Sequence, residues 1–273
     1  MTRSDPSEIA ADLRRSRKYA HLCPDTLARI ARWSADRHAA PADALKAAKR
    51  KLHQAFGAYF SEADARLVME LSAALPVPPR VGPSGRTLRE VCLEILRRHA
   101  STAERVPVME SFYQDVFART GPPRSVLDLA CGLHPFALPW MDLSAECRYL
   151  AFDIDLRLVE AVNRLLILLQ RPPSAQACDL LVTIPEIEAD VAFLLKSVPC
   201  LEQQEKGSAA AIIRALRCLW VVVSFPARSL GGRDKGMVDH YGSFMNRLTA
   251  GMGRTAARLD YPSETVYILR LRH

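Results

Sequence analysis

No stretch of this chain is apolar for the roughly 20 residues that a helix needs to cross a bilayer. The most apolar run, Cys218 to Phe225, reads instead as a buried strand. The opening residues, Met1 to Ile9, are polar and include Asp5 and Glu8, and no basic segment followed by an apolar one stands there, so a cytoplasmic chain without a membrane partner is expected. Paired cysteines are lacking too. Cys23, Cys92, Cys131, Cys147, Cys178, Cys200 and Cys218 are odd in number, scattered and never spaced as C-x-x-C, which argues against a disulfide framework and a zinc site. No metal is expected. There is no internal repeat and no low-complexity tract, and the first half of the chain has almost no strand signals.

What the chain does have is an ordinary globular composition, 49% hydrophobic and 25% charged over 273 residues, enough for one large or two small domains. Its net charge of +7 is unevenly spread. Residues 1–121 hold 20 Lys and Arg against 14 Asp and Glu, whereas residues 122–273 hold 17 against 16. The basic excess lies in the first half and favours a polyanionic partner. That half reads as helices over Asp5–Ala20, Pro24–His38, Pro41–Phe60, Glu62–Leu75, Thr87–Ala100 and Val106–Ala118. The segment Pro76–Gly85 is the clearest linker, suggesting a subdomain break near 76–86.

After Gly121-Pro122-Pro123 short apolar strands alternate with helices, the pattern of a doubly wound parallel sheet. Strands are expected at Ser125–Asp128, Arg148–Phe152, Ala175–Cys178, Val191–Leu195, Trp220–Ser224, Thr255–Leu259 and Val266–Leu271. Helices are expected near Leu156–Leu169, Glu202–Cys218 and Met237–Ala250. Five strands joined by crossovers and a closing hairpin at Asp260–Glu264 match the plan of class I methyltransferases. The fold class read here is therefore α/β: a Rossmann-like methyltransferase domain with a seven-stranded sheet over 122–273, preceded by an all-helical domain over 1–121.

Several residues stand where such a sheet does its chemistry. Asp128-Leu129-Ala130-Cys131-Gly132 is a small-residue turn at the carboxyl end of the first strand, where backbone can approach a ligand. With one glycine, it fits a plain tight turn as well as a cofactor site. About 20 residues on, Asp153 of Phe152-Asp153-Ile154-Asp155 stands where these folds place an acid for ribose hydroxyls, and Asp155 suits the cap of the following helix. Asp179 follows the third strand at a position that can reach an adenine amine. Lys196 ends the strand Leu194-Leu195-Lys196, either beside the reacting groups or as a snorkelling lysine at a sheet edge.

Around these positions, VLDLACGLHPFALPWM (126–141), FLLKSVPCLEQQEKGS (193–208) and VVSFPARSLGGRDKGM (222–237) resemble the aminoglycoside-resistance 16S rRNA (guanine-N7) methyltransferases of the Arm/Rmt type. KLHQAFGAYF (51–60) and STAER (101–105) resemble that family's helical domain and its connection. The resemblance implies S-adenosyl-L-methionine as cofactor. It places Arg105 on the methionine carboxylate, Ala130 and Gly132 beneath the cofactor, and Asp153 with Ile154 at the ribose. Asp179 with Leu180 would frame the adenine, and Leu195 would line the same pocket. Lys196, Glu202 and Gln204 match the block beside the methyl group and target base. The target implied is N7 of guanosine 1405 in the 16S rRNA decoding site of the 30S subunit. Methylation there implies resistance to 4,6-disubstituted deoxystreptamine drugs.

Guanine N7 carries its own lone pair, so no general base is required, and no His/Asp or Cys/His constellation is expected near the proposed site. His134 is read as the start of a helix. Two basic clusters, Arg14, Arg15, Arg17, Lys18 and Lys46, Lys49, Arg50, Lys51, lie near Tyr19, Phe56 and Tyr59 and are read as phosphate contacts, with Arg228, Arg233 and Lys235 as a third element. Two rival readings stay open: a methyltransferase for small molecules, and a non-catalytic RNA-binding or assembly protein.

Overall fold

In the computed structural model, residues 4–54, 60–76, 85–227, 237–249 and 253–271 are described. The linker at 77–84, Phe56, Tyr59, and Arg228, Arg233 and Lys235 lie outside the described residues.

The chain opens with α1 (Pro6–Arg15), α2 (Pro24–Ala35) and α3 (Pro41–Leu52), each with proline in its first turn, where no N–H is missed and φ is already helical. Asp5 caps α1 by accepting the Ser7 N–H, and Asp25 and Asp43 sit in the first turns of α2 and α3, against the positive end of the helix dipole. These three helices bury a core of their own, including Ile9, Leu13, Leu27, Ile30, Ala44, Ala48 and Leu52.

Four further helices follow: α4 (Glu62–Ala73), α5 (Leu88–Leu96), α6 (Ala100–Ala103) and α7 (Met109–Thr120). A reciprocal capping box between Thr87 and Glu90 starts α5. Val68 on α4, Val91 and Ile95 on α5 and Phe112 and Val116 on α7 pack into the same apolar cluster as Val126, Ala151 and Phe193 of the sheet. The helical half thus divides by core between α3 and α4.

The sheet comprises β1 (Ser125–Leu129), β2 (Arg148–Asp153), β3 (Ala175–Ala177), β4 (Glu188–Leu195), β5 (Arg217–Pro226), β6 (Gly253–Asp260) and β7 (Glu264–Leu271), in the order β3-β2-β1-β4-β5-β7-β6. The first five strands are parallel, while β7 runs antiparallel between β5 and β6. All seven expected strands are present, several extended by a few residues. The chain reverses direction across the sheet at β1, and the crevice beyond the carboxyl ends of β1 and β4 is where such sheets bind ligands.

Between the strands run α8 (Leu156–Leu168), α9 (Val198–Gln204), α10 (Ser208–Ala215) and α11 (Met237–Thr249). The single helix expected over Glu202–Cys218 is two: Gly207, at φ 84°, takes a left-handed conformation that ends one helical path and starts the next. Arg217 and Cys218 already belong to β5. After the glycine turn, His134–Trp140 forms a 3₁₀ helix, with Pro139 inside it withholding a donor that an α-helix would use.

Candidate cofactor and nucleic-acid site

A cavity of about 980 Å³ opens beyond the carboxyl ends of β1, β2 and β4. Its floor is the turn after β1, where Ala130 (φ 49°) and Gly132 (φ 51°) both adopt left-handed backbone. A methyl group added to Gly132 would meet no atom within 4 Å, so the cavity is open directly above this residue. The Gly132 N–H donates to Asp153 Oδ2 at 2.8 Å, and the Asp155 N–H donates to Oδ1 at 2.9 Å. Burial pushes the Asp153 carboxyl up to about 6, against the pull of these backbone donors toward the charged form. Asp155 caps α8 through the Arg157 N–H.

The segment before α2 forms another wall. The Cys23 N–H donates to the Ile154 carbonyl at 2.7 Å, and the Leu156 N–H donates to the His21 carbonyl at 2.9 Å. This anti-parallel bridge between Leu22 and Asp155 lays the helical bundle along the loop that carries Asp153. Arg17 and Lys18 reach the same cavity, bringing part of the first basic cluster to it.

Asp179 is 4% exposed, accepting the Leu181 N–H at 3.0 Å on Oδ1 and Arg29 Nε at 2.9 Å on Oδ2. Arg29 Nη2 also donates to Gln204 Oε1 at 2.9 Å. At the end of β4, Lys196 turns the backbone at φ 55°, donates its N–H to the Ser224 carbonyl at 3.0 Å, and places Nζ on Glu104 Oε2 at 2.6 Å. Next to it, His99 is driven down to about 4 by burial and by the Lys196 charge, and its ring meets that of Phe60 with centroids 5.9 Å apart.

Of the residues singled out in the sequence, Arg105, Ala130, Gly132, Asp153, Ile154, Asp179, Leu180, Leu195, Lys196 and Gln204 all line this one cavity. Two depart from expectation. Glu202 does not line it: its carboxylate accepts the Gly207 N–H at 2.9 Å and the Ala209 N–H at 2.8 Å, capping α10 where the helix dipole favours an anion. Arg105 lines the cavity, but the Nε/Nη2 fork expected to grip a carboxylate grips Glu264 instead, at 2.6 and 2.7 Å. Burial alone would raise Glu264, yet the facing guanidinium outweighs it and holds the carboxyl below its usual range.

The basic residues divide as well. Arg14, Arg15, Arg17, Lys18, Lys46, Lys49 and Arg50 are exposed. Lys51 is half-buried, its ammonium over the Trp33 ring and donating to the Gln204 carbonyl at 3.4 Å, so it is engaged within the fold. Tyr19 is largely buried at the edge of the cavity, with its hydroxyl donating to the Lys49 carbonyl. Sequence reasoning missed Arg29, Glu104 and Glu264, whose importance lies in partners distant along the chain. It also passed over the buried trio in which Asp128 Oδ2 meets His134 Nδ1 at 2.8 Å and accepts the Tyr149 hydroxyl at 2.5 Å. Among the described residues no cluster of His, Cys, Asp or Glu could hold a metal ion, and no helix is long and apolar enough to cross a membrane.

The strand order, the glycine turn after β1 and the acid at the end of β2 define a class I methyltransferase. The chain belongs to the family described as Ribosomal RNA methyltransferase (FmrO), whose model matches residues 15–268. It is 38% identical over 262 residues to the 16S rRNA (guanine(1405)-N(7))-methyltransferase of Frankia casuarinae, covering 94% of this chain and 90% of that one. A protein of the same name from Micromonospora echinospora is 34% identical, covering 99% of this chain and all of its own. Among solved structures, the 16S rRNA methyltransferase RmtF in complex with S-adenosyl-L-homocysteine superposes with a TM-score of 0.83 at 33% identity, covering 98% of both chains.

Proposed function

We propose that this chain transfers a methyl group from S-adenosyl-L-methionine to N7 of guanosine 1405 of 16S rRNA, acting on the 30S subunit in the cytoplasm. The observation that carries the reading is the single cavity in which Gly132, Asp153 and Lys196 meet Arg17 and Lys18 from the basic helical bundle. In a chain 38% identical to an enzyme of that name, this joins a nucleoside-type pocket to a surface suited to phosphates.

The residues fit the cofactor. The open space above Gly132 admits it, and Asp153 and Asp179 present acceptors for ribose hydroxyls and an adenine amine. Bound there, S-adenosyl-L-methionine would supply an electrophilic methyl group on its sulfonium. Ala130, Ile154, Leu180 and Leu195 would exclude water from it, and Arg105, clamped by Glu264, would set a cation in the wall. Exposed Arg14, Arg15, Arg17, Lys18, Lys46, Lys49 and Arg50 would hold rRNA phosphates, positioning the particle without reading its sequence. Lys196 and Gln204 would orient the extruded base, with Arg228, Arg233 and Lys235 pressing RNA against the same edge. Because N7 attacks with a lone pair it already has, alignment and electrostatics supply the catalysis and no residue removes a proton.

Added positive charge at that nucleotide would oppose cationic 4,6-disubstituted deoxystreptamines, giving resistance to kanamycin and gentamicin. Labelled methyl transfer to purified 30S subunits tests the reading. The wild-type protein is expected to incorporate about one methyl group per subunit, and the folded fraction of Lys196→Glu almost none. No incorporation by the wild type rejects the enzyme reading and favours a non-catalytic RNA-binding protein.

A further inference from the structure

Arg29 belongs to α2, yet both of its hydrogen-bonding partners lie in the α/β part, 150 and 175 residues further along the chain. Asp179 is almost fully buried, and a carboxylate in that position keeps its charge only if a cation or several donors compensate the lost solvation. One oxygen has the Leu181 N–H, and the other has Arg29. The second prong of the same guanidinium fixes the Gln204 amide by occupying Oε1, while Lys51 of α3 holds the Gln204 backbone carbonyl. Asp179 and Gln204 line the cavity, whereas Arg29 stands behind them.

We propose that Arg29 is a positioning residue: its guanidinium holds Asp179 as an acceptor for the adenine amine and fixes Gln204, so the helical bundle sets the cofactor's base specificity. The proposal rests on the cofactor reading above. Planarity matters here, because a guanidinium serves two acceptors in one plane where an ammonium serves them poorly. Without Arg29 the Asp179 carboxylate keeps only the Leu181 N–H of these two donors, and the Gln204 amide loses the donor on its Oε1. The acceptor is then no longer held against the adenine amine, and the preference for an amine over an oxygen at that position of the base falls.

Calorimetry with S-adenosylhomocysteine and S-inosylhomocysteine tests this. The wild type is expected to bind the adenosyl compound at least tenfold more tightly. Arg29→Met should bring that ratio below twofold, with Arg29→Lys between the two. In an Asp179→Asn background, Arg29→Met should change the ratio no further. If Arg29→Met does not fold, the ratio is read on Arg29→Lys, where a wild-type value overturns the proposal. A variant that weakens both ligands equally shows a merely structural role and also overturns it. Failure of the wild type to bind S-adenosylhomocysteine at all overturns the cofactor reading together with the proposal.

Discussion

At the end of β2 a single carboxylate supports the turn above it and faces the cavity beside it. Asp153 accepts backbone N–H groups from Gly132 and Asp155, and burial raises its carboxyl from 3.8 to about 6. A raised carboxyl binds its proton more tightly in the folded protein than in the unfolded chain, so the unliganded fold loses stability as pH rises from about 4 through 6. Ribose hydroxyls would donate to the charged form, so ligand binding would pull the other way. S-adenosylhomocysteine is expected to bind with constant affinity above about pH 7 and to weaken toward tenfold per unit below about pH 6, releasing a proton near that pH. Calorimetry in two buffers of different ionisation enthalpy measures both effects, and affinity that is flat from pH 5 to 8 contradicts the assignment. Asp153 was legible in the sequence because its distance from the glycine turn is fixed by one crossover. The partner of Arg105 was not, since Glu264 lies 159 residues away and only the closing of β7 against β5 brings them together.

At the scale of elements, the central strands β1, β4 and β5 were readable from short apolar runs because they are largely buried on both faces, whereas β3 and β6, with mostly exposed or half-buried residues, were readable only from their place between the turns and helices. The break between α9 and α10 was not, since the apolar positions run on through Ala209, Ile212 and Ile213 and a lone glycine does not by itself end a helix. The break explains Glu202. Its carboxylate closes the exposed N-terminus of α10, which has no side-chain cap from Gly207. Glu202→Ala should therefore lower stability by about 1–2 kcal/mol in urea unfolding. Its folded fraction should bind S-adenosylhomocysteine within twofold of the wild type. Loss of cofactor affinity with full stability would return Glu202 to the cavity.

Over the whole molecule, charge and cores tell two different divisions. The basic excess marks the first 121 residues as one region, but only α1–α3 carry a separate core, while α4–α7 complete the core on one face of the sheet. Composition could reveal the first division because charge sums along the chain. The second depends on which helices share apolar contacts, which no local pattern records. The basic bundle is joined to the cofactor loop by the Leu22–Asp155 bridge and to the opposite wall by Arg29, so rRNA and cofactor would meet across a continuous surface.

The most direct test of that arrangement is mass spectrometry of 16S rRNA from cells that express the chain. One added methyl group is expected on guanosine 1405, at N7, absent from cells carrying Lys196→Glu. An unmodified guanosine 1405 in cells that hold the folded wild-type protein would contradict it.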